Sequence, residues 1–364
     1  MKRIAALDGV RGIAILQVVI YHYFTWKINP APGSLLAYLQ LPTFLFWGGV
    51  DIFFVLSGYL MGSILLMNRD AENYYKVFFI RRICRIIPLY AIVVSSVVLL
   101  EIIKPAGFES LYGGPVPAWS YMTFTQNIMV AKYDNFGNPV LGITWALAVI
   151  AQFTLILPFL IRNLSLKNTI FLSIALIVIS PVLRHLFRGD IGPYVLTYCR
   201  GDSLMTGVLL ATVMNNEKGK RIVFQYRTLI FLLFAALSVV VLFILPVYDR
   251  WKGGAVNHLI LAFYFGLIVI IAHFPDNVFT DMILNNKALA WIGARSYGIF
   301  LMHQGVAAGL AVSLKKSHLT VNDIAVCFLS IPVTLFLADM SLRLFESKFI
   351  SFGHRFNYRF TQST

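Results

Sequence analysis

Arg11 and His22 stand eleven residues apart in a stretch that is otherwise almost entirely apolar, LDGVRGIAILQVVIYHYFTW. Eleven residues make close to three helical turns. A helix here puts guanidinium and imidazole on one face, about 16 Å apart along the axis at about 1.5 Å per residue. Imidazole can take and return a proton near neutral pH, and guanidinium binds phosphates and carboxylates through paired hydrogen bonds. An ionisable residue inside a membrane-length apolar helix is costly to keep, which makes each of the two a candidate for function. Asp8, three residues before Arg11, is placed to pair with it. The plainer alternative for His22 is a buried histidine satisfied by hydrogen bonds.

Further groups of this kind recur along the chain. Asp51, Trp145, Gln152, Arg200, Asp202, Tyr297 and His303 fall within apolar segments, and Arg82 and Arg85 open another, in RRICRIIPLY. Asp51 and Asp202 are suited to orient a histidine or to neutralise an arginine, and Arg200 with Asp202 reads equally well as a structural pair. For Arg82 and Arg85, anchoring at the membrane surface competes with ligand binding. Trp145 can stack on a ring, though Trp at a membrane interface is common. Ser57, beside Gly58 and Gly62, reads first as tight helix packing, because small residues drive helix contacts in lipid. There is no HExxH, His pair at helical spacing, Walker A loop, GxGxxG or GxSxG, so no metal is expected.

These residues need apolar elements to hold them. Of 364 residues, 59% are hydrophobic and 13% charged, about half the charge of a soluble domain. Too few polar residues remain to cover a water-soluble surface. The reading is an all-α integral membrane protein. At about 20 apolar residues per span, ten transmembrane helices are expected, near 4–26, 41–67, 86–103, 141–162, 169–187, 194–214, 228–246, 255–274, 288–312 and 321–345. The shorter stretch 117–130, preceded by Pro115 and Pro117, is expected to be re-entrant or interfacial. The membrane domain is taken as 1–346 and a short basic cytoplasmic tail as 347–364, with no soluble domain expected to follow. The net charge of +14 sits at span ends and forms no basic stripe interleaved with aromatics, so no nucleic-acid partner is expected; membrane lipid is.

Loop charge orients the spans. Lys2, Arg3, Arg69, Lys76, Arg81, Arg82, Arg85, Arg162, Lys167, Lys218, Lys220, Arg221, Arg227 and the tail cations lie on one side, which places both termini in the cytoplasm. Arg184, Arg188, Lys315 and Lys316 run against the rule. In this topology Arg11 lies toward the inner face. His22, Asp51, Trp145, Gln152, Arg200, Asp202 and His303 share the outer half, and Arg82 and Arg85 form a cationic mouth inside. That layout suits a membrane enzyme drawing an anionic donor from the cytoplasm.

Several segments carry a resemblance when taken in order: the Arg-x10-His opening, GVDIFFVLSGYLMG (49–62), FFIRRICRIIPLY (78–90), TFTQN (123–127), CRGDSLMTGVLLA (199–211) and WIGARSYGIFLMHQ (291–304). Together they make the chain similar to acyltransferase family 3, integral-membrane acyltransferases that modify sugars and other extracytoplasmic acceptors. One segment departs. Where the family usually has Trp-Ser-Leu-x-Val-Glu-x-Gln-Phe, residues 145–153 read WALAVIAQF, with Ala146 for the serine and Ile150 for the glutamate.

The resemblance implies a multi-pass protein of the bacterial inner membrane. It would transfer an acyl group, most commonly acetyl, from cytoplasmic acyl-coenzyme A to a hydroxyl of an extracytoplasmic or lipid-linked carbohydrate. His22 would then be the base or the acyl-accepting residue, with Asp51 and Arg11 as catalytic partners. Arg11, Arg82 and Arg85 would hold the donor's phosphates. Trp145, Gln152, Arg200, Asp202, Tyr297 and His303 would meet the acceptor. A membrane carrier of acyl groups or lipid-linked sugars, and a catalytically inactive family member, are the alternatives. Oligomeric state, a homo-oligomer included, is open.

Overall fold

The structure is a computed structural model that describes residues 4–187, 191–244, 254–316 and 323–361. Lys2, Arg3, Arg188, the side chains of Lys315 and Lys316, and the expected span ends at 245–246 and 321–322 lie outside the described residues. Every regular element among the described residues is helical. Eight helices are long and apolar enough to cross a membrane, and a bent pair, Glu217–Gln225 with Arg227–Phe243 at 67°, makes up to nine. Large apolar side chains such as Ile102, Phe171 and Phe336 stand exposed on the outside of the bundle, where lipid replaces water as the solvent. The protein is a multi-pass membrane protein.

The shortfall from ten lies at 194–214. That stretch breaks into a short turn at Gly192–Val195, a 3-10 turn at Thr197–Arg200 and a helix, Gly201–Met214, of 14 residues. Fourteen residues rise about 21 Å, short of the roughly 30 Å hydrocarbon core. The break falls at Leu196, whose backbone is extended at φ −76° and ψ 134°, and the helix restarts after Arg200, at φ −112° and ψ 9°, where hydropathy alone reads one continuous span. The 117–130 stretch forms two short helices, Ala118–Met122 and Gln126–Tyr133, and spans nothing.

Four elements position the candidate residues. α1 is Ala5–Ile20, and it runs on into a π-helical turn, Tyr21–Thr25. α2 is Gly49–Met67 and α3 is Tyr74–Ile103. α4 is Ser296–Lys316. α3 begins well before its expected span, so Arg81, Arg82 and Arg85 sit on a helix and not in a loop. α2 lies against Gly201–Met214 along most of its length. Glycine makes that approach feasible: a Cβ on Gly58 would stand 2.0 Å from Leu204 O, and one on Gly207 2.1 Å from Val55 O. Without a hydrophobic drive between helices in lipid, such close backbone contact supplies the association.

Candidate active site

His22 lies in the π-helical turn that ends α1. Such turns widen the backbone by one residue and often mark functional positions. Its Nδ1 stands 2.8 Å from Val18 O. A carbonyl only accepts, so Nδ1 carries the proton and Nε2 keeps its lone pair. His303, fully buried on α4, repeats the arrangement: its Nδ1 donates to Phe300 O at 2.8 Å and meets Ile299 O at 3.2 Å. Its Nε2 therefore carries a lone pair, and it faces His22 Nδ1 at 3.3 Å. The two rings lie 5.1 Å apart. Tyr23, also fully buried, donates to His303 O at 2.7 Å and fixes α4 to α1. Backbone carbonyls thus impose both tautomers, and the His22 edge left for chemistry is Nε2.

His22 lines a cavity of about 290 Å³. Trp26, Trp47, Trp145, Phe136, Tyr194 and Phe300 give it aromatic walls, with Asn138 and Gln304 among its few polar groups. Asn138 holds the loop at its rim by donating to Glu101 Oε1 at 2.7 Å and accepting from Val140 N at 2.8 Å.

A buried ionic layer supports those walls. Asp51 and Arg200 pair with both side chains wholly inaccessible, and Ser203 Oγ donates to Asp51 at 2.7 Å. Arg200 Nη1 lies 2.5 Å from His258 Nδ1, which also stands 3.3 Å from Asp51 Oδ2. The shorter contact decides the tautomer. Arg200 must donate, so His258 Nδ1 is a lone pair and its approach to Asp51 is not a hydrogen bond. Trp47 and Tyr194 pack on the His258 ring at 5.0 and 5.7 Å, and Tyr194 also lies under the Arg200 guanidinium at 5.5 Å.

A second cavity, about 730 Å³, opens at the other end of α1. Arg11, Arg81, Arg82 and Arg85 line it, and Asp8 is the one carboxylate among its lining residues. Asp8 takes Arg11 Nη1 at 2.9 Å. Arg82 feels the charges of both Arg11 and Arg85. Gathering like charges around one carboxylate is unfavourable unless an anion enters. The end of the chain forms part of the wall. Arg81 donates to Phe356 O at 2.7 Å and to Asn357 Oδ1 at 3.2 Å, which brings His354 and Tyr358 to the cavity. Burial raises the Tyr358 phenol above its ordinary range, so it stays a donor.

A family profile described as an acyltransferase domain, the acyltransferase family 3 type, matches residues 4–342. The chain belongs to acyltransferase family 3. It is 28% identical to the peptidoglycan O-acetyltransferase OatA of Listeria monocytogenes, across 95% of this chain and 56% of that protein. It is 29% identical to YrhL of Bacillus subtilis, provisionally named a peptidoglycan O-acetyltransferase, across 97% of this chain and 56% of that one. The chain thus spans little more than half the length of these curated relatives. No solved structure matches it.

Not all of the residues singled out in the sequence meet in this family fold. His22, Trp145 and, through its contact with His22, His303 gather at the aromatic cavity. Arg11, Arg82 and Arg85 gather at the other, where Ser57 also lines the wall. Asp51 and Arg200 form the supporting layer. A structural pair of Arg200 with Asp202 is one of two readings of the sequence. Instead Asp202 accepts from Arg184 at 2.6 Å, since residues two apart on a helix do not face one another. Gln152 lines neither cavity. It donates to Phe124 O and Asn127 Oδ1, both at 2.8 Å, and ties the 117–130 segment to the bundle. Tyr297 donates to Ile86 O at 2.6 Å and also lines neither. Ile150, where the family usually has glutamate, is half-buried and packs against the core. His22 meets the side chain of His303, while Asp51 pairs with Arg200. Sequence reasoning missed His258, Trp47, Tyr194 and Tyr358. An ionisable residue inside an apolar span was the signal available for His258.

Proposed function

We propose that this chain is the membrane module of an O-acyltransferase, carrying an acetyl group from acyl-coenzyme A on the cytoplasmic side to a carbohydrate hydroxyl on the outer side of a bacterial inner membrane. The observation that carries the reading is the pair of cavities at opposite ends of α1, one cationic and one aromatic with an oriented histidine. The family membership and the naming of relatives as peptidoglycan O-acetyltransferases favour a peptidoglycan-type acceptor. Aromatic walls suit the apolar face of a sugar ring, and about 290 Å³ lies at the small end of ligand sites, which favours one ring at a time.

The donor supplies an acyl carbon activated as a thioester. The residues fit such a donor, because four guanidiniums and the Tyr358 hydroxyl converge on one cavity able to receive phosphates. Arg11, Arg82 and Arg85 bind and neutralise. His22 Nε2 takes the proton of the acceptor hydroxyl as its oxygen forms the new C–O bond, and returns it to the departing sulfur. Val18 O and His303 Nε2 both accept from the opposite edge of the ring, so they stabilise the imidazolium formed in between. His303 fills the orienting role that a carboxylate has in other triads.

The test is transfer of labelled acetyl from acetyl-coenzyme A to a soluble peptidoglycan disaccharide by purified protein in nanodiscs. His22→Ala should lower turnover about 10²- to 10⁴-fold, the usual contribution of a positioned base, with the folded fraction preserved. Full transfer by that variant would refute the scheme. Donor binding without transfer in the wild-type chain would point to a carrier or an inactive member.

A further inference from the structure

Phe53 lines the arginine cavity and Phe300 lines the histidine cavity. Their rings touch edge to face, with centroids 6.4 Å apart and planes at 68°. One aromatic contact therefore stands between the two cavities. The flanking residues agree. On α2, Val50 belongs to the aromatic cavity and Phe53, about one turn on, to the cationic one. On α1, Val18 and Arg11 divide the same way. Phe53 packs against both buried clusters of the bundle, Phe300 is 7% exposed, and the Phe300 ring lies 6.2 Å from that of His303.

If the two cavities at opposite ends of α1 open toward opposite faces of the membrane, as the proposed function requires, they need an apolar seal between them. A continuous water path would let ions and protons cross, and it would expose a thioester to hydrolysis. Yet an acyl group that enters beside the arginines has to reach His22. The contact between the two rings is where both demands meet.

We propose that Phe53 and Phe300 form a partition that the acyl end of the donor must part to reach His22, and that the space their rings leave sets the length of acyl group transferred. This rests on the two-cavity reading above. The substrate class follows: short acyl groups pass, and each added methylene must displace more of the ring pair. Discrimination per methylene in an apolar site is typically about 10- to 200-fold.

The experiment compares acetyl-, butyryl- and hexanoyl-coenzyme A as donors for the full chain in nanodiscs, reading released coenzyme A and labelled disaccharide together. Phe53→Ala and the milder Phe53→Leu should raise the butyryl-to-acetyl ratio of kcat/KM at least tenfold, and should raise coenzyme A release in excess of transfer as water enters. Phe53→Trp should do the reverse, lowering acetyl kcat at least fivefold with the KM for the donor within twofold. Ratios unchanged in all three variants, with wild-type acetyl turnover, would overturn the partition. A wild-type chain that consumes none of the donors would instead overturn the proposed function, so the two failures are distinct.

Discussion

Replacing His303 with alanine removes one of the two acceptors that hold the His22 Nδ1–H. Val18 O, at 2.8 Å, is a backbone atom and stays; His303 Nε2, at 3.3 Å, goes. In the ground state both rings are neutral and the lost contact is long, so little changes. In the transition state His22 approaches an imidazolium, and a hydrogen bond to a charged group is worth about 1.5–3 kcal/mol. At about 1.4 kcal/mol per decade that becomes a fall in kcat of about 10- to 150-fold, and the length of the contact puts the expectation near tenfold. Donor KM should hold, because His303 lines neither cavity and the arginines are untouched. His303→Gln restores an acceptor and should recover most of the loss. Since His303 acts only through His22, His22→Ala/His303→Ala should be no slower than His22→Ala alone, a strong departure from additivity. The assay is steady-state acetyl transfer with kcat and KM separated, beside a melting curve for each variant. Two results would refute the reasoning: an unchanged kcat in His303→Ala, or a loss as deep as that of His22→Ala, which would make His303 the base.

Asp51→Ala leaves Arg200 buried without its carboxylate, and breaking such a pair costs about 3–5 kcal/mol; unfolding in graded denaturant should show this, with Asp51→Ala/Arg200→Met losing less than the sum of the single changes. His273 lies just past the helix Gly254–Ile271, with Nε2 2.6 Å from the Tyr59 hydroxyl. Burial holds it below its ordinary pKa, so the unfolded chain binds the proton more readily. Stability should therefore fall as pH drops below about 6.5, by at most about 1.4 kcal/mol per pH unit for one proton. His273→Gln should flatten that slope in melting curves taken from pH 7.5 to 5.

Most of the architecture was legible because lipid imposes a simple rule: a long apolar run must be a helix that satisfies its own backbone. The rule fails where its averaging hides a break. Residues 194–214 look continuous by hydropathy, yet extended backbone at Leu196 divides them, and the 3-10 turn that follows delivers Arg200 to Asp51. The π-helical turn at Tyr21–Thr25 left no mark in composition. Gly58 was readable as a packing residue; that its partner surface would be Leu204 and Gly207 was not.

The candidate site divides along the same line. Arg11 and His22 could be found from spacing within one helix, but their partners come from remote segments, and pairing across the bundle is decided by tertiary contact. The Ile150 substitution shows the consequence. A missing glutamate matters to the chemistry only if the acid at that position serves His22. Ile150 is half-buried against the core and His22 is held by Val18 O and His303 Nε2, so in the proposed scheme orientation of the histidine needs no acid at that position. A backbone carbonyl fixes the tautomer at no electrostatic cost, and under the proposed mechanism a neutral imidazole would stabilise the transient cation without placing a permanent charge beside the acyl group. A carboxylate there would need its own buried counter-charge, as Asp51 needs Arg200. The expectation is then that Ile150→Glu in this chain lowers stability without raising kcat. A gain in kcat from that change would show that the orienting role still belongs to an acid.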